Sequence, residues 1–543
     1  MMIWKNNMIS FFKTHAQALL AGYLGICCAI GLFYKFIIAV FQPLTSDTVL
    51  PGIIAMEMWR HQNGLLQDMV LPAPDPNVIE DICFYLIPQI LSNFNPLALK
   101  VSGFFIFICI ILIFSLILYS YVKNKIAILV FIALMVSSCP SQAIRDSTYY
   151  YASKFLLPVF HNSTVFFFGI LVYLTFTKKW DSFPRIIVPI SILALVTLSD
   201  SLLVIWFVAP LVVMYFFSWN TRFQPRTLFV GVCVLVSIIT HFIKYFNPML
   251  YEYADFSFKL FSRTEGDFAK FTLLFQTYLV PDFFYSTLIP GIIIITTIVG
   301  ILLILALFVK RSNFQNDEKG LVTFFISSII CTMVIIILFS EMDAWPYISQ
   351  IPILLYIIAV LLIFKFNTQI HIMQLLLLIL ITLNLVMLTG LVLTIPATPN
   401  ENQYSLIQTM EDNGITHAFS NFWDANLITY LSNERVKVRA VEYVGVLTPF
   451  IDLSNIQWFE NQRLSERPLT LIVRSDDNVN FYSFVASHPP DRFNDLQYYS
   501  VLQYDSLNST SISEVPNNWR EKLGTVSIGF SRIFEKFHLL TSS

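Results

Sequence analysis

Charge is the scarcest property of this 543-residue chain. Asp, Glu, Lys and Arg together make up 13% of it, against 56% hydrophobic and 15% aromatic residues. A soluble domain carries about twice that share of charge. Mean hydropathy is +0.68, so most of the chain belongs in lipid. The net charge is −2, close to zero, so nothing in the composition points to nucleic acid as a partner. Cysteine is also sparse. Seven residues, Cys27, Cys28, Cys83, Cys109, Cys139, Cys233 and Cys331, show no metal-ligand spacing, and none follows Cys331. The tail is therefore not a disulfide scaffold. Phosphate-binding glycine loops, Gly-x-Ser-x-Gly, internal repeats and low-complexity stretches are all missing.

What is present is a series of long apolar runs. A spanning helix needs roughly 20 apolar residues, which predicts spans near 19–41, 99–121, 126–143, 161–177, 228–246, 286–309, 320–340, 347–364 and 372–396. The first run ends without a small-residue cleavage site and reads as an uncleaved span. Residues 186–217 are too long for one span and too short for two. The sequence breaks there at Ser199-Asp200-Ser201, and a re-entrant pair of half-helices with Asp200 capping the second fits best.

Lys and Arg set the orientation. With the N-terminus in the cytoplasm, each predicted inner loop is basic: Lys5 and Lys13; Lys123 and Lys125; Lys178, Lys179 and Arg185; Arg222 and Arg226; Lys310, Arg311 and Lys319; Lys365. The segments 42–98, 144–160, 247–285 and 397–543 then lie outside. The expected division is a transmembrane domain, 1–396, and an extracytoplasmic domain, 397–543. In the tail, "NQYSLIQTMEDNGI" and "FWDANLITYLSN" have helical spacing, whereas "THAFS", "RVKVRAVEY" and "LTLIVRS" read as strands. That alternation predicts a small α/β layer structure. The fold class is thus mostly α, a polytopic helical bundle with a small α/β domain at the C-terminus.

The polar residues of the outer segments are the site candidates. Asp47, in "SDTVLPGIIAMEMW", is either a helix N-cap or interfacial residue, or a general base at the membrane surface. The stretch "DMVLPAPDPNVIEDICFY" holds Asp68, Asp75, Glu80 and Asp81. Glu80 and Asp81 suit a helix start, and equally a second acid or ligands for a hard divalent cation. In "IRDSTYYYASKFLLPVFHNST", Arg145 and Lys154 suggest a bound anion such as a lipid phosphate, with Lys244, Lys259, Arg263 and Lys270 as further cations. His161 reads as an interfacial histidine or a catalyst, and Asp200 as a cap or a groove residue. Asn162-Ser-Thr and Asn508-Ser-Thr match the glycosylation pattern. Trp423 and Tyr430 in the tail are either sugar-stacking or core residues.

In their order along the chain, these stretches resemble the GT-C superfamily of polytopic glycosyltransferases, in particular an uncharacterised branch near the protein mannosyltransferases and aminoarabinose transferases. "SDTVLPGIIAMEMW" is similar to the Asp-Glu-type motif and short helix that open the family's first outer loop. "VIEDICFYLIPQILSNFNPLALKVSGFF" resembles the helix, loop and second span that follow. "FHNSTVFFFGILVYL" and "TLSDSLLVIWFVAPLVVM" resemble later spans, and residues from "LIQTMEDNGITHAFS" onward an outer domain. Thr48 stands where the family often has Glu, and "EMDAWPYISQIP" where it often has a basic-aromatic motif. The resemblance implies an inverting transferase of the plasma (inner) membrane. Its donor would be a polyprenyl-phosphate-linked sugar, its acceptor a lipid, glycan or protein. Asp47 would be the base, and Arg145, Lys154 and Lys244 the donor-phosphate cations. The rival reading is a transporter or a non-catalytic lipid-handling protein, because broken helices occur there too.

Overall fold

A computed structural model of the protein describes residues 2–64, 66, 69, 81–138, 156, 161–177, 183–217, 224–245, 316–338, 350–365, 370–443, 445–450, 454–461, 468–475 and 479–505. The expected span at 286–309 lies outside them.

The bundle begins with α1 (Met2–Phe41), which enters the chain well before the apolar run at Leu19. The short α2 (Ser46–Trp59) follows. A π-helical turn, Ile82–Leu86, leads into α3 (Ile87–Leu91), and then come α4 (Pro96–Val122) and α5 (Lys125–Ser137). Next are α6 (Asn162–Thr177) and α7 (Phe183–Ser199). A second π-helical turn, Val204–Val208, opens α8 (Ala209–Phe217). The bundle continues with α9 (Gln224–Tyr245), α10 (Asn316–Leu338), α11 (Gln350–Lys365) and α12 (Ile370–Thr394). Asn95 and Asn124 cap α4 and α5 by accepting from Leu97 N–H and Ile126 N–H, both at 2.9 Å. Helix α1 packs on α5, α4 and α12, and Gly31 is what lets it approach: a Cβ there would meet Val136.

Helices α6 and α7 are neighbours joined by a five-residue connection, 178–182, and the end of α7 returns to the start of α6. They are antiparallel and of nearly equal length, 16 and 17 residues. The break at Ser199-Asp200-Ser201 therefore sits level with the N-terminal end of α6, and α7 runs the full depth of its neighbour rather than half of it.

The C-terminal part starts at α13 (Glu401–Asp412), which ends ahead of Gly414 at positive φ. It continues with β1 (His417–Ser420), α14 (Phe422–Leu431), β2 (Lys437–Tyr443), β3 (Leu447–Pro449) and α15 (Ile456–Asn461). Last come β4 (Leu469–Arg474), α16 (Val479–Ser487), β5 (Arg492–Leu496) and β6 (Tyr499–Tyr504). The sheet order is β3-β2-β1-β4-β6-β5, with β1 parallel to β2 and β4 and the other pairs antiparallel. Strand alternation gives it two faces. Ala418, Val438, Ala440, Ile472 and Val501 share one continuous core with the helical bundle. Phe419, Val441, Leu471, Val473 and Leu502 form a second core that includes Phe459 of α15 and Phe484 of α16.

Helix α2 is held between these two parts. Eleven of its fourteen residues are buried, so it does not lie on a surface as an amphipathic helix would. Ser46 Oγ donates to Phe422 O at 2.6 Å, and Asn400 exchanges two hydrogen bonds with the backbone of Leu44. Tyr430, fully buried, covers Gly52, which settles its sequence alternatives in favour of core packing; Trp423 is exposed.

Candidate active site

Local sequence explains how α2 starts. Thr45 is extended (φ −123°, ψ 172°) and caps the helix, with Thr48 as its reciprocal partner. Thr45 N–H donates to Thr48 Oγ1 at 2.6 Å, and Thr48 N–H donates to Thr45 Oγ1 at 3.4 Å. The position expected to carry Glu thus serves as the third residue of a capping box. Asp47 is not the cap. It stands in the first turn, half-buried, where a carboxylate complements the helix dipole.

Asp47, Pro51, Ile54, Ala55 and Met58 fall on one stripe of α2 by helical spacing. From Pro51 onward this stripe lines a small crevice with Asp81, Tyr85 and Leu86. Asp47 lies one turn before Pro51, so it stands at the end of the stripe that leads to Asp81.

At the other end is a buried polar cluster built on the first turn of α6. Ser163 Oγ donates to Asp81 Oδ1 at 2.7 Å, and Thr164 Oγ donates to Asp200 Oδ2 at 2.5 Å. His161 Nδ1 is 2.6 Å from the same Asp200 oxygen, and Leu202 N–H donates to Asp200 Oδ1 at 2.9 Å. That last bond is the cap expected of Asp200. Adjacent residues of one helical turn therefore hold two carboxylates, near an N-terminus whose dipole favours negative charge. Trp206 meets His161 edge-on. Burial pushes the Asp81 carboxyl up to about 8, against the Ser163 hydrogen bond and the His161 charge, which pull it down, and with the Asp200 charge, which adds to the rise. Asp81 is therefore mostly protonated at neutral pH. Tyr85 Oη, also buried, has no hydrogen-bond partner among the described residues.

A hard cation needs several ionised oxygen ligands around one point. No group of three or more His, Cys, Asp or Glu suited to a metal occurs among the described residues. Glu80, Asp68, Asp75, Arg145, Lys154, Lys259, Arg263, Lys270 and Asn508 lie outside the described residues, and of Lys244 only the backbone, in the last turn of α9, is described. Asn162 is buried and its neighbours Ser163 and Thr164 bind the two carboxylates, which removes this sequon as a glycosylation site in the folded protein.

Several polar residues carried no signal in the sequence. Lys35 and Lys100 lie in apolar runs, yet both are buried. They donate to Ser138 O at the end of α5 (2.7 Å) and to Val40 O near the end of α1 (3.0 Å), where a cation suits a helix C-terminus. Glu57 is buried within α2, accepting from Trp458 Nε1 at 2.6 Å and Asn455 Nδ2 at 3.2 Å. The spacing of Ser163 and Thr164 from His161 was visible; their partners were not.

The apolar helical bundle, the buried α2 and the C-terminal sheet define an integral membrane protein with an α/β tail. Three of the described helical stretches, His15–Phe41, Pro96–Val122 and Leu375–Thr394, are long and apolar enough to cross a membrane. The fold is similar to that of ArnT from Cupriavidus metallidurans, crystallised with undecaprenyl phosphate: TM-score 0.53 and 10% identity, over 91% of this chain and 99% of that one. It also aligns with the Archaeoglobus fulgidus oligosaccharyltransferase, crystallised with Zn and sulfate, at TM-score 0.45 and 13% identity, over 80% of this chain and 62% of that one. No family model matches the sequence, and no curated protein does.

Proposed function

We propose that the protein is an inverting membrane glycosyltransferase that moves a sugar from a polyprenyl-phosphate carrier to an acceptor on the extracytoplasmic face. The observation that carries this reading is the placement of Asp47: half-buried, at the start of an outer helix clamped between bundle and tail, on the stripe that ends at Asp81. The undecaprenyl phosphate bound by a protein of similar fold supports the choice of donor. In this reading the N-terminus is cytoplasmic, residues 1–396 form the membrane domain, and 397–543 stand outside the plasma (inner) membrane.

In the reaction, Asp47 takes the proton from the acceptor hydroxyl as its oxygen attacks the anomeric carbon. The bond from that carbon to the phosphate oxygen breaks, and the polyprenyl phosphate leaves as an anion. Such a leaving group needs positive charge rather than a strong acid, for which Arg145, Lys154 and Lys244 are the candidates. Asp81 acts as a protonated neighbour, and the His161–Asp200 pair holds the start of α6.

The test is Asp47→Asn in membranes supplied with lipid-linked sugar. Transfer falls by about 10²–10⁴-fold, the usual weight of a general base, while expression is unchanged. Undiminished transfer removes Asp47 from the chemistry. Mass spectrometry of lipids extracted from the purified protein finds a polyprenyl phosphate. Uptake of an unmodified solute into vesicles would instead favour the transporter reading.

A further inference from the structure

A second cleft lies between the C-terminal end of α2 and the sheet. It is about 320 Å³ in volume and lined by Glu57, His61, Gln62, Asn63, His417, Lys437, Arg439, Asn455, Gln457 and Trp458. That volume is at the lower end of small-molecule sites. Its lining is polar, unlike the apolar crevice beside Asp81.

The cations converge by register. Lys437 and Arg439 share one face of β2, and His417 pairs with Lys437 across the parallel β1–β2 ladder. Arg439 is 6% exposed and stacks its guanidinium on Trp458, 4.3 Å from the ring centroid. Its Nε has no hydrogen-bond partner among the described residues. Burial lowers Arg439 only to about 10, with the charges of Glu434 and Glu57 holding it up, so it stays charged at neutral pH. A buried guanidinium with an unused donor is expensive unless something binds it. Glu57 does not fill that role by hydrogen bonding: Trp458 and Asn455 take its two oxygens. Glu434, the other nearby carboxylate, is engaged by His61 at 2.7 Å and by Arg60 at 3.5 Å. Set against Glu57, Lys437 and Arg439 leave the cleft with a surplus of positive charge.

We propose that this cleft binds a sugar bearing an oxyanion, carboxylate or phosphate, with Arg439 and Lys437 on the anion and the polar, amide-bearing lining of the cleft on the hydroxyls. Under the transfer reading given above, the occupant is the acidic part of the acceptor. Guanidinium and ammonium groups are the natural partners of such anions, and amides that both donate and accept match sugar hydroxyls.

Calorimetry on the full-length protein in detergent tests this with four probes: glucuronate, glucose 6-phosphate, glucose and inorganic phosphate. At least one of the two acidic sugars binds ten-fold or more tighter than glucose and than phosphate alone, and which one binds tells carboxylate from phosphate. Arg439→Gln abolishes this binding. Lys437→Gln, at the edge of a strand and without a core role, weakens it several-fold and keeps the fold intact. Equal binding of glucose and the acids, binding of phosphate as tight as that of the sugar acids, no binding of either acid, or full binding by the folded Lys437→Gln protein would each overturn the proposal. Asp47→Asn separates the two readings. It keeps the acidic-sugar binding whether or not transfer survives, so a failure of the transfer reading leaves this one standing, and the reverse also holds.

Discussion

Tyr430 of α14 donates a 2.7 Å hydrogen bond to Gln89 of α3, 341 residues earlier in the chain, and its ring lies directly over Gly52 of α2. One tyrosine of the C-terminal part thus closes over both α2 and α3. Because α2 carries Asp47, the tail helps to set the position of the proposed base.

Gly52→Ala puts a methyl group into the Tyr430 ring, and α2 cannot retreat because its other faces are buried as well. Overpacking of this kind costs about 1–3 kcal/mol. Thermal unfolding in detergent shows the loss, and replacing Tyr430 by a smaller residue in the same chain restores part of it. Tyr430→Phe alone keeps the ring and strands the buried Gln89 Oε1, for about 1–3 kcal/mol.

Asp81 ties stability to pH. Its folded carboxyl titrates near 8, above its value in the unfolded chain, chiefly because it is buried. The folded state then holds a proton that the unfolded state has lost. The contribution is fully present below about pH 4 and declines as pH rises through 8. Asp81→Asn removes the dependence, so the stability of the variant relative to the wild type climbs between those limits and levels off above pH 8. Unfolding midpoints measured from pH 5 to 9 record it; parallel curves would mean that Asp81 does not hold its proton.

His61 and Glu434 join the end of α2 to the turn before β2. The Glu434 hydrogen bond raises His61, partly offset by burial. Burial alone would raise Glu434, but the His61 hydrogen bond and the charges of His61, Lys437 and Arg60 carry it below its usual value. The raised histidine contributes below about pH 6.5 and is lost as pH rises through its folded value; the lowered glutamate contributes above about pH 4.3 and is lost as pH falls through its own. The pair therefore operates in mildly acidic to neutral solution. Protease sensitivity of the tail rises at alkaline pH in the wild type and is independent of pH near neutrality in His61→Gln.

Much of the architecture was legible because its causes are local. Hydropathy marked the apolar helices of the described bundle, three of them long enough to cross a membrane, and Ser199-Asp200-Ser201 marked the break. The strand-helix alternation marked the α/β tail. Capping was legible in part: Asp47 was correctly placed at a helix start, but a carboxylate two positions inside a helix reads much like one at its cap. Only the fold decided that Thr45 and Thr48 do the capping.

The rest depends on partners far apart in the chain. By itself the sequence determined a membrane bundle with an α/β tail and an acid at the start of the short helix after the first apolar run, since periodicity, composition and caps act over a few residues. The tertiary structure alone decided that Asp81 meets Ser163, that Asp200 meets His161 and Thr164, that α2 is buried rather than superficial, and that Arg439 closes a cleft with Glu57 and Trp458. The physical reason is burial. How far a carboxylate or guanidinium is removed from water, and which group meets it there, depends on segments dozens to hundreds of residues away.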